Sequence, residues 1–331
     1  MAKPKNTDLN KANKAKKDEF YTQLTDIEKE MRYYKEHFKD KTIFCNCDDP
    51  EYSNFWKYFQ LNFYELGLKK LISTHYEDDR PSYKMEIVNN NKGSQFGIPD
   101  YVKTQLQQNG DFRSPECIEI LKEADIVITN PPFSLFREYI AQLVEYDKKF
   151  IIIGNINCIT YKEVFPLIKD NKIWLGVSIH SGDREFRVPD SYPLQASGYR
   201  IDEDGNKYIR VKGVRWITNL DYIQRHEDMP LYKTYTPEEY PKYVNYEAIE
   251  VGKTPEIPAD YYGEMGVPIT FLDKYNPEQF EIISNSQHLI REISDDIRKN
   301  GDYPQIGRFY LDRGNGTYRK MYERLVIKRR R

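Results

Sequence analysis

The sequence predicts an α/β fold in which a mixed, mostly parallel sheet is flanked by helices and followed by a second region. Three observations carry this. Between residues 42 and 76 a β-rich run, a capped amphipathic helix and a second apolar run follow one another with short connections, which is a βαβ unit with a right-handed crossover. Apolar runs at 125–129 and 150–153 then alternate with helical patterns, as buried parallel strands do. From about residue 231 the alternation gives way to proline, tyrosine and charge.

In chain order, residues 1–17 hold lysine, asparagine and alanine without apolar periodicity and read as a disordered basic N-terminus. From Asp18 a helical pattern begins, with Thr22 or Thr25 as N-cap and Leu24, Ile27, Met31, Tyr34 and Phe38 recurring at threes and fours. Thr42-Ile43-Phe44-Cys45-Asn46-Cys47 is a buried strand stopped by the turn Asp48-Asp49-Pro50. Ser53 caps a helix to about Leu66 that puts Phe55, Tyr58, Phe59, Phe63 and Leu66 on one face, with Gly67 as its C′ residue. Residues 68–76 form the second strand. The polar stretch 77–110 reads as a loop too long for a simple connection.

Ser114-Pro115-Glu116 opens a short helix to Lys122 by its cap and its proline at N1. The strand Asp125-Ile126-Val127-Ile128-Thr129 runs into Asn130-Pro131-Pro132-Phe133 and a helix over about 134–146. A buried strand at 150–153, a helix near 161–169 and a strand over 172–179 continue the alternation. Gly198-Tyr199-Arg200-Ile201 then faces Lys207-Tyr208-Ile209-Arg210 as a hairpin across 202–206, and a further strand covers 214–220. The last helical pattern lies at about 277–299. The expected organisation is a basic N-terminus (1–17), a catalytic domain (18–235) and a C-terminal region (236–331).

Composition narrows the function classes. The 331 residues are 39% hydrophobic and 14% aromatic, with 28 tyrosines, too aromatic for a disordered chain. No apolar run of about 18 residues and no leader pattern occurs, so neither a membrane span nor a signal peptide is expected, and the chain reads as cytoplasmic. Four cysteines are too few for a disulfide framework, and the five histidines lack the close spacing that holds zinc, so no metal is expected. The net charge of -2 gives no argument for a polyanionic partner, but both ends are basic. Residues 318–331 hold Arg319, Lys320, Arg324, Lys328, Arg329, Arg330 and Arg331 against Glu323; such a row is either a solvated tail or a phosphate-contacting face.

The strongest chemical signal is Asn130-Pro131-Pro132-Phe133 just past the carboxyl end of a strand, the edge where open α/β sheets bind ligands. The plainer reading is an ordinary turn. The chemical one is more specific. The Asn130 side-chain oxygen and the Pro131 carbonyl make two acceptors for one exocyclic amine, the two prolines hold them rigid, and Phe133 offers a face to a planar base.

With this tetrapeptide the chain resembles the amino-methyltransferases that act on adenine in DNA, in the motif order of their gamma class. Asp18-Glu19-Phe20-Tyr21-Thr22-Gln23 is similar to the motif that contacts the methionine part of S-adenosylmethionine, and Gly110-Asp111-Phe112-Arg113-Ser114 to the motif that holds its adenine. Within that group the chain resembles the EcoRI-type adenine-specific methyltransferases. The likeness is carried by Phe44-Cys45-Asn46-Cys47-Asp48-Asp49-Pro50, Ser53-Asn54-Phe55, residues 66–72, 129–136, 159–165, 172–177 and 266–272.

The resemblance implies a Rossmann-like class I methyltransferase fold, with a mixed, mostly parallel seven-stranded sheet and a C-terminal target-recognition region. The cofactor-binding residues it implies are Phe20, Tyr21, Thr22, Asn46, Cys47, Asp48, Asp111, Phe112 and Asn130. The first strand lacks the glycine-rich loop common among methyltransferases, a feature the EcoRI-type relatives share. Asp48 and Asp49 either bind the methionine ammonium or cap the following helix. Glu77, directly after the second strand, is by position the acid for the ribose hydroxyls.

The activity implied is site-specific N6-methylation of an adenine flipped out of double-stranded DNA, with Asn130, Pro131, Pro132 and Phe133 as the catalytic residues. Arg200, Arg210, Arg215, Arg308, Arg313, Arg319 and Lys320 are candidates for DNA contact or, on the plainer reading, parts of solvated or packed faces. The expected context is a restriction-modification pair, or an orphan or phage enzyme. A cognate endonuclease would act on the same site without stable binding, and the enzyme is expected to work as a monomer. Two other readings are open: a protein glutamine N5-methyltransferase, since the same acceptor pair serves any planar amide, and a catalytically inactive DNA-binding relative.

Overall fold

A computed structural model describes residues 20–78, 80–89, 97–190, 192 and 198–331. Expectations for residues 1–19, including Asp18 and Glu19, and for 90–94 lie outside the described residues. The chain forms two compact units. The first holds the described residues up to Val164 together with Ile173–Asp221; the second holds Phe165–Lys172 and Tyr222–Arg331.

The first unit opens with α1 (Leu24–Met31) and α2 (Lys35–Phe38), which bury Ile27, Met31 and Phe38. The break after Met31 divides what the spacing reads as one helix. Neither threonine caps it: the N-cap position is Gln23, without a side-chain hydrogen bond. The βαβ unit is β1 (Thr42–Cys45), α3 (Asn54–Leu61) and β2 (Lys70–Thr74), with β1 and β2 parallel. The Ser53 side chain accepts the Phe55 N–H at 3.1 Å, as a cap should.

Residues 77–110 are not a loop. β3 (Tyr83–Val88) pairs antiparallel with β2, and β4 (Val102–Gln105) pairs antiparallel with β3. The first is partly polar and the second is exposed along its whole length, so apolar patterning did not announce them. After α4 (Pro115–Glu123) come β5 (Ile126–Thr129), α5 (Phe136–Glu145) and β6 (Lys149–Asn155), with β5 parallel to both β1 and β6. The short β7 (Trp174–Leu175) is much less than the strand expected over 172–179.

A three-stranded antiparallel sheet follows, β8 (Asp183–Val188), β9 (Tyr199–Ile201) and β10 (Lys207–Lys212), in which β9 and β10 are the expected hairpin. β11 (Val214–Thr218) returns between β6 and β7. The main sheet has the order β4-β3-β2-β1-β5-β6-β11-β7. Its four central strands are parallel, and the β3–β4 edge takes it to eight strands rather than seven. Strand order reverses at β1, so the crevice at the carboxyl ends of β1 and β5 is the switch point where open sheets take ligands.

In the second unit α6 (Phe165–Lys169) is the part of the expected 161–169 helix that forms. β12 (Lys242–Tyr243), β13 (Tyr246–Glu250), β14 (Glu264–Pro268), β15 (Phe280–Asn285) and β18 (Arg324–Arg329) make a sheet of order β12-β13-β14-β18-β15. β16 (Tyr310–Asp312) and β17 (Tyr318–Lys320) form a separate ribbon. The helix expected over 277–299 is instead β15 and two short helices, α7 (Ser286–Leu289) and α8 (Asp295–Asn300). A buried Glu250–Arg324 pair at 2.7 Å and the stacked Tyr243 and Phe309 rings, 4.4 Å between centroids, tie this core together. The long segment of this unit begins at Tyr222. Among the described residues no helix is long and apolar enough to cross a membrane.

Candidate active site

At the switch point, β5 delivers Thr129 and Asn130 beside the segment that leaves β1. Asn130 is buried, with 6% of its surface exposed. Its amide Nδ2 donates to the Phe20 carbonyl, and its backbone N–H donates to Asp48 Oδ2 at 3.2 Å. Its Oδ1 is buried and without a hydrogen-bond partner. A buried, unpaired acceptor on a rigid loop carries a desolvation cost unless a ligand supplies the donor.

Phe133 follows in a 3-10 turn, half-buried. Its ring lies edge-on to Phe20 (5.6 Å between centroids) and to Phe186 of β8 (6.4 Å); Phe20 also meets Tyr192 at 5.9 Å. The chain from Phe20 to Thr22 is fixed from three directions. Tyr21 exchanges both backbone hydrogen bonds with Arg187, at 2.8 and 3.1 Å, Asn54 Nδ2 donates to the Thr22 carbonyl at 2.7 Å, and Asn130 holds Phe20. Thr22 Oγ1 is buried and unpartnered.

Beyond β1, Asn46 Oδ1 accepts from the Tyr139 hydroxyl, which orients the amide, and its Nδ2 is buried without a partner. Burial, then the neighbouring Cys47, push the Tyr139 hydroxyl well above its ordinary pKa, so it stays a donor. Burial and the adjacent Asp48 charge likewise hold the Cys47 thiol protonated. Thr22 Oγ1, Asn46 Nδ2 and Asn130 Oδ1 are thus unsatisfied buried polar atoms at one edge of one sheet, which fits a polar cofactor bound there.

The remaining cofactor candidates surround the same edge. The Phe112 ring is buried 5.1 Å from Tyr139, and Asp111 is held by Arg113 through a 2.7 Å ion pair. The Glu77 N–H donates to the Asn109 carbonyl at 2.8 Å, which joins the end of β2 to that loop. The Glu77 carboxylate pairs with Arg80 at 2.9 Å and His75 at 3.1 Å, contacts that pull its pKa below the ordinary value. Neither Asp48 nor Asp49 caps α3; Ser53 does. Asp48 bonds the β5 end, and Asp49 accepts from Tyr83 at 2.8 Å and lies 3.1 Å from His75 Nδ1.

The cationic candidates separate into held and free. Arg215 is 4% exposed and donates to the Val214 and His180 carbonyls. Arg200 pairs with Glu185 at 2.7 Å over the Tyr208 ring, Arg313 is bidentate to Asp302, and Arg308 pairs with Glu323. Lys320 reaches Gln305 at 3.4 Å near the Tyr303 ring. Arg210 and Arg319 are exposed and make no ion pair among the described residues.

The sequence did not reveal Tyr139, Phe186 or Tyr192. Only Tyr139 carried a signal: a tyrosine on the apolar stripe of α5 needs an acceptor for its hydroxyl.

A parallel-sheet switch point whose strand ends in Asn-Pro-Pro-Phe, with a buried, unpaired amide oxygen, fits the class of methyltransferases that act on an amino group. Residues 8–330 match the family described as adenine-specific methyltransferase EcoRI, and the chain belongs to that family. It is 54% identical over 286 residues to the Type II methyltransferase M.EcoRI of Escherichia coli, covering 83% of this chain and 88% of that protein. It is 37% identical over 326 residues to the Type II methyltransferase M.MpnI of Mycoplasma pneumoniae, and 36% to M.MgeORF184P of Mycoplasma genitalium, each covering 97% of this chain and 98% of the relative. No solved structure matches the chain. The protein is an adenine-specific DNA methyltransferase.

Proposed function

We propose that this enzyme transfers the methyl group of S-adenosylmethionine to N6 of an adenine flipped out of double-stranded DNA, at one short sequence. The unpaired, buried Asn130 Oδ1 carries this reading. Phe20–Thr22, Asn46, Cys47, Asp111 and Phe112 are the residues that would hold the cofactor, which supplies an electrophilic sulfonium methyl when bound. Asp48 Oδ2 is engaged by the end of β5, and Glu77, whose Oε1 holds Arg80 and His75, would meet the ribose hydroxyls through Oε2.

Asn130 Oδ1 accepts one N6 hydrogen and the Pro131 carbonyl the other. The two acceptors turn the nitrogen lone pair away from the ring and stabilise the positive charge that grows on it. Phe133 stacks on the base, with about 1 to 3 kcal/mol to set against the few kcal/mol that flipping costs. The second unit, with exposed Arg319, supports target recognition, and a restriction-modification pair is the context that the Type II relatives favour. The enzyme acts as a cytoplasmic monomer that shares its site with an endonuclease without stable binding.

Incubation with S-adenosylmethionine and unmethylated bacterial DNA, read by single-molecule sequencing, tests this. The expected result is N6-methyladenine in one short motif. Asn130→Ala should keep cofactor binding and lose methylation by about 100- to 1,000-fold. Absence of methyladenine with the wild type overturns the reading; equal loss of cofactor binding makes Asn130 structural.

A further inference from the structure

We propose that Asp48 is a positioning residue for methyl transfer that acts through Asn130. The inference rests on the role given to Asn130 above. Within Asn130-Pro131-Pro132 only the asparagine has a backbone N–H, because proline lacks one. Neither proline can donate a backbone hydrogen bond, and Pro132 is held by its carbonyl, which accepts the Leu135 N–H at 3.0 Å, so the Asn130 N–H is the loop's one backbone donor before that turn. Asp48 Oδ2 takes that N–H at 3.2 Å and also accepts from the Thr129 hydroxyl, while Thr129 Oγ1 accepts the Cys47 N–H at 3.2 Å.

The anchor is itself rigid. Asp48 is 3% exposed, and its carbonyl accepts from Ser73 Oγ at 2.7 Å; the same hydroxyl reaches the Cys45 carbonyl at 2.9 Å. One side chain therefore ties the ends of β1 and β5 across the switch point, with β2 as its backing. Two carboxylate bonds and the Phe20 carbonyl then determine where Asn130 Oδ1 points. A charged acceptor makes these the stronger kind of hydrogen bond, and a neutral amide in its place loses that assistance.

The test compares wild type, Asp48→Asn, Asp48→Ala, Thr129→Val and Thr129→Ser in single-turnover transfer from labelled S-adenosylmethionine to a duplex carrying the enzyme's own site. Calorimetry gives cofactor affinity, and 2-aminopurine at the target adenine reports flipping. Misplacement of a reacting group by about 1 Å costs about 100-fold, so Asp48→Asn and Thr129→Val should slow transfer by about 10- to 100-fold. Cofactor affinity should stay within about threefold and the 2-aminopurine signal at its wild-type level, since the loss lies in the transition state. Thr129→Ser, which keeps the hydroxyl, should recover most of the rate lost in Thr129→Val. A parallel fall in cofactor affinity would make Asp48 a ligand and overturn the proposal, as would wild-type rates in both variants. If Asp48→Ala does not fold, the near-isosteric variants carry the test; unfolding of those as well would make Asp48 purely structural and also overturn it. A wild type that methylates no adenine is a failure of the proposed function instead.

Discussion

Asn130 divides one amide between two tasks. Its Nδ2 donates to the Phe20 carbonyl, and that fixes which face carries Oδ1. Phe133 has a different task, and its half-buried ring is free of hydrogen-bonding duty, so its removal should show in flipping before chemistry. Phe133→Ala is expected to lose about 1 to 3 kcal/mol of stacking, seen as a lower 2-aminopurine signal and a raised KM for DNA, whereas Phe133→Tyr retains both. A wild-type signal in Phe133→Ala would remove the base from that ring. Asp49 allows a pH prediction. Burial works against its charge, but hydrogen bonds from His75, the Glu51 N–H and Tyr83 outweigh it and hold the carboxyl below its ordinary 3.8. A depressed carboxylate stabilises the fold above the unfolded value and loses that contribution as pH falls through the folded one. Asp49→Asn should therefore flatten the fall of Tm below about pH 4, and an unchanged acid limb would refute the pairing. The tetrapeptide and the Phe20–Thr22 motif were legible because their chemistry is written in adjacent residues. Asp48 was not, since a carboxylate that bonds a loop 82 residues away looks locally like a cap.

At the scale of elements, the sequence was readable wherever burial imposed a period. β1 and β5 are buried throughout and β6 over residues 150–154, and the stripes of α3 and α5 recur every three or four residues. β3 and β4 failed that test because an edge ribbon buries little, and 277–299 misled because β15 and two short capped helices happen to share a helical spacing. The C-terminal end of α1 is held by a contact no local pattern shows. Glu30 is fully buried and its carboxylate accepts the N–H groups of Val177 and Ser178, at 2.9 and 2.7 Å, and the Tyr34 hydroxyl. Gly176 is packed on the same carboxylate: a Cβ there would lie 2.1 Å from Glu30 Oε1 and 2.5 Å from the Trp216 Cβ. Gly176→Ala should cost about 1 to 3 kcal/mol by overpacking, measured by urea unfolding, and a neutral result would mean that α1 can shift without loss.

For the whole molecule the decisive quantity is how charge is distributed, because a net charge of -2 cannot by itself draw the protein to DNA. Several of the arginines that the sequence offers, Arg200, Arg308 and Arg313 among them, are already paired within their own unit, and a paired guanidinium must give up an acid before it meets a phosphate. Arg200 and Arg313 are in that position, and buried Arg215 and Arg324 are further from it. Exposed Arg210 and Arg319 make no ion pair among the described residues, although Arg210 lies across the ladder from Glu185 and, after Arg200, helps hold that carboxylate ionised. Each phosphate contact releases counterions and adds about 0.9 to the slope of log affinity against log salt. Arg210→Ala and Arg319→Ala are therefore expected to weaken binding to specific and random duplexes alike and to reduce the slope by about 1 each. Arg313→Ala should change it less, and Arg215→Ala should lower Tm while the slope stays as in the wild type. Titrations from low to physiological salt by fluorescence anisotropy decide the matter. A full slope in Arg210→Ala and Arg319→Ala, with a loss in Arg200→Ala or Arg313→Ala, would mean that the ion pairs open on DNA and that the paired arginines are the ones that bind it.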